Sequence, residues 1–256
     1  MCYDVKASLE AQLKRARYKG DRQAVEEILE LLVPYTDLPI HHVSGFSHPE
    51  LLIYTDESPN YPIVATWGLV PHWVKDDNGA KKIWNNTLNA RGETIFKKPS
   101  FRYAAEHNRC VIYVDGFYEH HHFEKKTYPY YIYRKDGEPL ALAGLWTEWR
   151  KETGGIENTF TIVTTEGNPM MARIHNNPKL KGPRMPFILS NEEEIKKWLN
   201  PVEDDLDKDL IKEIIKPLSE EELAFHTVSR LRGNEYKGNV EEISDEVLYP
   251  ELNTLF

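Results

Sequence analysis

Residues 109–149 read RCVIYVDGFYEHHHFEKKTYPYYIYRKDGEPLALAGLWTEW. Three runs within them, 110–119, 128–134 and 139–149, are rich in β-branched and aromatic residues, and Asp136-Gly137 supplies a tight turn between the last two. Working outward, Thr159–Thr165 reads as a further strand and Phe187–Leu189 as a short one. Upstream, Leu51–Tyr54 and Ile63–Trp67 are short β-type runs separated by Pro, Ser, Asn and Asp, and 225–229 is a last candidate. Helical spacing of Leu9, Leu13, Val25, Ile28, Leu31 and Leu32 predicts one long amphipathic helix or a helical hairpin over 5–33, broken at Lys19-Gly20-Asp21 and ended by Pro34. Asn191 is a suitable N-cap for a helix through Leu199, with Glu192, Glu193 and Glu194 in the first turn, and 203–224 reads as helical and acidic. No internal repeat and no Gly/Ser linker interrupts the pattern. The expectation is a single α+β domain with a curved antiparallel β-sheet or barrel-like core and peripheral helices.

The composition fits that class. The 256 residues are 40% apolar and 29% charged, with a mean hydropathy of −0.59. This excludes a disordered chain, a collagen and a helical membrane protein, since no stretch approaches the ~18 uninterrupted apolar residues of a spanning helix. Cys2 and Cys110 are too few for a disulfide framework, and no charged-then-apolar leader opens the chain, so a cytosolic, reduced protein is expected.

The net charge of −9 argues superficially against a nucleic-acid partner, but its distribution is uneven. Residues 191–256 carry 18 acidic and 8 basic side chains, whereas 1–190 carry 23 and 24. Within 81–103, Lys81, Lys82, Arg91, Lys97, Lys98 and Arg102 face only Glu93, with Trp84, Phe96, Phe101 and Tyr103 interleaved. Bases mixed with aromatics suit a single strand whose bases stack on side chains; the plainer alternative is a solvated loop over core aromatics.

Cys2 follows the initiator Met1, and a small second residue permits methionine removal. A terminal cysteine holds an amine of reference pKa about 7.7–8.0 two carbons from a thiol of about 8.5, so near neutral pH both have a nucleophilic fraction. Such an aminothiol can capture an aldehyde as imine and then thiazolidine, or attack an amide with its own amine as base. A cysteine at codon two by chance is the bland alternative.

Eight further strings bear on the choice: WGLVPHW (67–73), NARGETI (89–95), KPSFR (98–102), RCVIYVDGFYEH (109–120), YPYYIYRKDGEPLALAGLW (128–146), FTIVTTEGN (160–168), and ARIH (172–175) with RMPFIL (184–189). With Met1-Cys2 they resemble, in order, the SOS-response-associated peptidase (SRAP) family, whose members act on abasic sites in single-stranded DNA. The resemblance implies a DNA-damage-response thiol enzyme of the cytoplasm, associated with the nucleoid when acting. Its terminal cysteine would crosslink to the ring-opened aldehyde and shield it, with peptidase and AP-lyase activities attached to the family. It implies Cys2 as nucleophile, Asn89 as the residue holding the cysteine and the sugar, Arg91 on a phosphate, Glu119 as the neighbouring acid and His175 as the proton carrier. Lys98, Arg102 and Arg184 are further DNA-contact candidates, and Trp73 and Pro71 offer an apolar surface for the unstacked strand, with Trp67 better suited to the core. No cofactor and no metal is implied, no membrane partner, and a monomer is expected.

The residue types suit that chemistry in their own right. Opening a deoxyribose hemiacetal needs a proton taken from one oxygen and given to another, which a His of pKa about 6.5 does at neutral pH. Amine attack expels water, so an acid must protonate the departing hydroxyl, and burial of Glu119 among Phe117 and Tyr118 would favour its protonated form. Asn89 offers a donor and an acceptor without a charge change, and Arg91 can fork onto a phosphate. Cys110, in an apolar strand, reads as an inert thiol, and His120, His121 and His122 alternate faces and read poorly as a metal site.

Departures from the family pattern are visible. Tyr3-Asp4 stands where Gly-Arg is usual, which should weaken a phosphate contact unless Lys6 or Arg15 compensates. The 5–33 segment reads as a helical insertion and 203–256 as an acidic C-terminal extension. His120 stands where Trp is usual, Tyr113 where Pro is common, and eight residues (176–183) rather than one separate His175 from Arg184. Two competing readings remain: an N-terminal-nucleophile hydrolase, and a non-covalent single-strand DNA-binding module.

Overall fold

The computed structural model describes residues 2–18, 20, 22–179 and 181–252. In chain order the strands are β1 (Asp4–Ala7), β2 (Ile40–Ser44), β3 (Glu50–Thr55), β4 (Ile63–Trp67), β5 (Asn89–Arg91), β6 (Arg109–Val114), β7 (Gly116–Phe123), β8 (Lys126–Arg134), β9 (Leu140–Arg150), β10 (Ile156–Glu166), β11 (Arg184–Pro186) and β12 (Leu223–Thr227). The helices are α1 (Leu9–Gln12), α2 (Lys14–Tyr18), α3 (Arg22–Leu31), α4 (Asp77–Ile83), α5 (Arg102–His107), α6 (Pro169–Ile174), α7 (Glu192–Leu199) and α8 (Asp205–Ile214).

Five strands close on themselves. β3 pairs with β4 and β6, β6 with β9, β9 with β10, and β10 with β4, so the ring has no free edge. The β10–β4 pairing is parallel, which makes this α+β fold mixed rather than purely antiparallel. The far half of β10 carries β5, parallel, and β11, antiparallel. A second sheet runs β12-β8-β7-β1-β2. Both sheets share one core, in which Ile53, Ile112 and Phe160 from the barrel meet Val5, Phe117 and Ile132 from the second sheet.

The run over 110–119 that reads as one strand is two, β6 in the barrel and β7 in the second sheet. The chain crosses at Asp115-Gly116. The Asp115 carboxylate accepts from the Ser8 hydroxyl (2.8 Å) and its backbone N–H donates to Lys6 O (2.9 Å), which ties the crossing to β1. A β-carbon at Gly116 would lie 2.4 Å from the Ile132 carbonyl oxygen, so only glycine lets β7 approach β8 here. Gly116→Ala is expected to cost about 2–3 kcal/mol through overpacking. At this chain length that lowers Tm by about 5–10 °C in a calorimetric scan.

The segment 5–33 departs from the expected helix or hairpin. Its first residues form β1, because Val5 and Ala7 alternate into the core, and three short helices follow. Of the expected break, Gly20 is described, with φ +70°, while Lys19 and Asp21 lie outside the described residues. The helix expected over 203–224 is confined to α8, capped by Asp204 and followed by Pro217, which cannot continue a helix. The strand expected over 187–189 is shifted to β11, with Phe187 still bonded to Val163 O (2.8 Å) and Ile188 bridged to Leu142. The cap at Asn191 forms, its Oδ1 accepting from the N–H groups of Glu193 and Glu194. Among the described residues no helix is long and apolar enough to cross a membrane.

Candidate active site

Strand pairing delivers the start of the chain to the joint between the sheets. β1 runs antiparallel to β7 with Asp4 opposite Tyr118 and Val5 opposite Phe117, and the Gly45 N–H holds Tyr3 O at 2.7 Å. Continuing that register past Asp4 sets Tyr3 alongside Glu119 and Cys2 alongside His120. Glu119 lies two residues beyond Phe117 and so shares its inward face. β5, paired with β10 at Ile162, brings Asn89 to the same place. His175 ends α6, whose start is set by Asn168 accepting from the Met171 N–H (2.9 Å) and by Pro169 in the first turn.

The four residues converge. Asn89 Nδ2 donates to the Cys2 carbonyl oxygen at 2.7 Å, and Asn89 Oδ1 is buried without a hydrogen-bond partner among the described residues. Cys2 is fully buried, its Sγ 4.0 Å from Asp4 O. His175 Nε2 lies 3.9 Å from Glu119 Oε2, and its Nδ1 lies 3.1 Å from Arg184 O and 3.3 Å from Arg184 N. Burial pushes the Glu119 carboxyl up to about 7. Burial also pulls His175 down to about 4, so its imidazole is neutral at pH 7. The Cys2 thiol is raised well above its ordinary range by burial and then by the charge of Glu119.

These shifts revise the sequence expectation. The histidine expected to titrate near neutrality is neutral there, whereas the carboxyl is raised by burial, the direction expected of Glu119 beside Phe117 and Tyr118. The thiol expected to be partly ionised is protonated.

Two cavities flank the cluster. One of about 360 Å³ is lined by Tyr3, Glu119, His120, His175, Arg230 and Arg232. The other, about 490 Å³, is lined by Arg91, Glu93, Glu166, Lys181 and Arg184. They adjoin where His175 meets the Arg184 backbone. Arg184, despite the longer 176–183 loop, is placed by β11 opposite Glu166. Its guanidinium forks onto Glu93 (2.6 and 3.0 Å) and donates to Thr164 O (2.8 Å).

Other candidates lie elsewhere. Trp73, Lys98 and Arg102 are exposed and line neither cavity; the Trp73 indole N–H approaches Pro99 O at 3.4 Å. Pro71 is buried and presents no stacking surface, because Val70 beside it is pinned to Thr159 and Thr147 inside the barrel. Trp67 is a core residue, with its indole N–H on Leu88 O at 2.8 Å. Cys110 is buried and its thiol is pushed up by burial. His121 turns inward to Arg173 O (2.9 Å), whereas His120 and His122 face the first cavity.

Neither Lys6 nor Arg15 compensates for Asp4. Lys6 Nζ donates to Ser244 Oγ (2.7 Å), and Arg15 is buried against Tyr113 and Glu192. The compensating charge is Arg232, whose Nη2 donates to both Asp4 oxygens (3.0 and 2.7 Å), while His42 Nε2 lies 3.2 Å from Oδ1. Burial alone would raise the Asp4 carboxyl, but His42 and Arg232 outweigh it and hold it below the usual range. Arg230 and Arg232 escape a sequence reading because they lie in the stretch whose net charge is most acidic; their signal is the Arg-x-Arg spacing shortly after β12.

The family model for SOS response associated peptidases (SRAP) matches residues 18–234. The chain belongs to the SRAP family. Among SRAP relatives, the abasic site processing protein YoqW of Bacillus subtilis (strain 168) is 38% identical over 194 residues, covering 75% of this chain and 80% of that protein. The abasic site processing protein HMCES of Pongo abelii is 30% identical over 258 residues, covering 87% of this chain and 69% of that one. A crystal structure of a Bacteroides thetaiotaomicron protein superposes with a TM-score of 0.80 at 33% identity, over 96% of this chain and all of that one. The SRAP fold and the mixed α+β expectation therefore agree.

Proposed function

We propose that this SRAP chain processes abasic sites in DNA by covalent capture, with single-stranded DNA as its partner and Cys2, freed of Met1, as the reacting residue. Support comes from family membership, from relatives that are themselves abasic site processing proteins, and above all from the convergence of Cys2, Asn89, Glu119 and His175. In this mechanism neutral His175 takes the proton of the anomeric hydroxyl and returns it to the ring oxygen as that carbon–oxygen bond breaks, so the sugar opens to its aldehyde and the imidazole is neutral again. The Cys2 amine adds to the aldehyde carbon, and Glu119, protonated, gives its proton to the departing hydroxyl so that water leaves and an imine forms. The thiol then adds across the C=N bond, its proton passes to nitrogen, and a thiazolidine closes. A protonated thiol suits this order, since sulfur does not compete with the amine for the aldehyde.

Asn89 fixes Cys2 through its carbonyl and keeps an acceptor for the sugar. Arg91 and Arg184 hold phosphates from the larger cavity, and Trp73, Lys98 and Arg102 form an outer path for the strand. The protein acts as a monomer in the cytoplasm, at the nucleoid when engaged.

The test is intact mass spectrometry of the purified chain mixed with a single-stranded oligonucleotide bearing one abasic site. The expected product has the mass of the chain lacking Met1 plus the oligonucleotide, less one water. Retained Met1, or no covalent product from the Met1-free chain, overturns the proposal.

A further inference from the structure

From the smaller cavity we infer a second DNA-contact site: Arg232, held by the buried carboxylate of Asp4, is a phosphate-binding residue for the strand leaving the reacting centre. The inference rests on the abasic-site reading above and extends it to a residue outside the family strings.

Asp4 is only 2% exposed and sits two residues from Cys2 on β1. Its partner Arg232 comes from the far end of the chain, and the Arg232 side chain remains 56% exposed although it is paired. Both bonds to Asp4 use Nη2. Nε and Nη1 carry no hydrogen bond among the described residues, so three of the five N–H donors remain for a ligand. A guanidinium anchored on one edge and open on the other is preorganised to receive a phosphate oxygen pair.

The surroundings favour an anion. Arg230 lines the same cavity, its guanidinium carbon 4.6 Å from the Tyr128 ring centroid and 5.1 Å from that of Tyr249, which fixes its direction. His120 and His122 line the wall between, and Glu119 marks the end where the reaction takes place. The larger cavity, with Arg91 and Arg184, lies on the other side of His175. A strand crossing the reacting centre thus finds arginines on both sides of the lesion, so Arg232 reads a phosphate that Arg91 and Arg184 do not reach. Asp4 serves as the anchor: its charge is already met by His42 and Arg232, and it holds the guanidinium in the cavity.

The experiment uses a single-stranded oligonucleotide carrying a tetrahydrofuran abasic analogue, which lacks the aldehyde and reports non-covalent binding alone. Affinity is measured between 50 and 200 mM salt for wild type, Arg232→Gln, Arg232→Lys and the double variant Asp4→Asn with Arg232→Gln, which leaves no orphaned buried charge if the single variant does not fold. Loss of one phosphate contact on a single strand reduces the steepness of log K against log salt by about 0.7. That reduction is expected for Arg232→Gln and the double variant but not for Arg232→Lys. A scan of single neutral methylphosphonates should reveal one position that weakens wild-type binding and is silent in the double variant. A folded double variant with the wild-type slope and the wild-type methylphosphonate profile overturns the inference. If wild type binds with the expected slope difference yet forms no covalent product at a natural abasic site, the capture reading fails and the Arg232 contact stands.

Discussion

Cys2→Ala abolishes the denaturation-resistant adduct with abasic DNA, lowering its yield at least about 100-fold on a denaturing gel. An alanine at position two still permits Met1 removal and still presents an α-amine, so the first addition to the aldehyde and loss of water can proceed. What the variant lacks is the second nucleophile. An imine hydrolyses when the protein unfolds, whereas a thiazolidine closed by sulfur has no C=N bond left for water to attack. Borohydride added to the Cys2→Ala mixture should therefore trap a reduced amine adduct and restore a shifted band. Cys2→Ser separates the competing hydrolase reading, because serine can attack an amide but closes only a weaker oxazolidine. Amide turnover in Cys2→Ser without crosslinking would favour a hydrolase, and an adduct of undiminished yield in Cys2→Ala would overturn capture through sulfur. The buried site tolerates the change, since loss of one sulfur atom from a fully buried position leaves only a small void.

The parts of the fold that rest on local pattern were legible in the residues. Alternation and turn chemistry locate β8, β9 and β10 to within a few residues, and Asn191 marks the start of α7. What periodicity cannot carry is which sheet a strand joins. The stretch from Cys110 to Glu119, which reads as one strand, hides a change of sheet at Asp115-Gly116, where the close approach of the Ile132 carbonyl in β8 leaves room only for glycine. Likewise Val5 and Ala7 precede Leu9 and Leu13 closely enough to be absorbed into the helical reading of 5–33, and it is pairing with β2 and β7 that makes them strand. At the site, the residue types of Cys2, Asn89, Glu119 and His175 announce their chemistry, but their protonation states do not. Those follow from burial, which keeps the imidazole neutral and raises the carboxyl to about 7. Arg232 is the furthest from sequence reach, since its meaning comes from Asp4, 228 positions away.

Glu119→Gln is expected to slow adduct formation by about 10²–10⁴-fold, the usual range for loss of a positioned general acid, and to flatten the alkaline side of its dependence on pH. The reason lies in where Glu119 titrates. Its carboxyl is pushed up to about 7 by burial, so in the folded protein roughly half of it is protonated at neutrality, whereas an ordinary glutamate would be almost wholly ionised. If the protonated form donates to the departing hydroxyl while the Cys2 amine attacks in its free form, the wild-type rate is bell-shaped, with an alkaline limb of about tenfold per pH unit set by Glu119 and an acid limb set by the amine. His175, pulled down to about 4, contributes no limb in this range, and glutamine keeps the shape of the side chain while removing the proton. A merely structural role for Glu119 would lower the rate and leave the limb in place. Stability supplies a second readout of the same group. A carboxyl whose folded pKa lies above its unfolded value of about 4.3 stabilises the fold fully below that value and progressively less as pH rises through about 7. Wild type should therefore lose thermal stability between pH 5 and 8, and Glu119→Gln should lose less over the same interval. A Glu119→Gln variant that forms the adduct at the wild-type rate, with the alkaline limb intact, would remove the acid from the mechanism and return the proton to solvent.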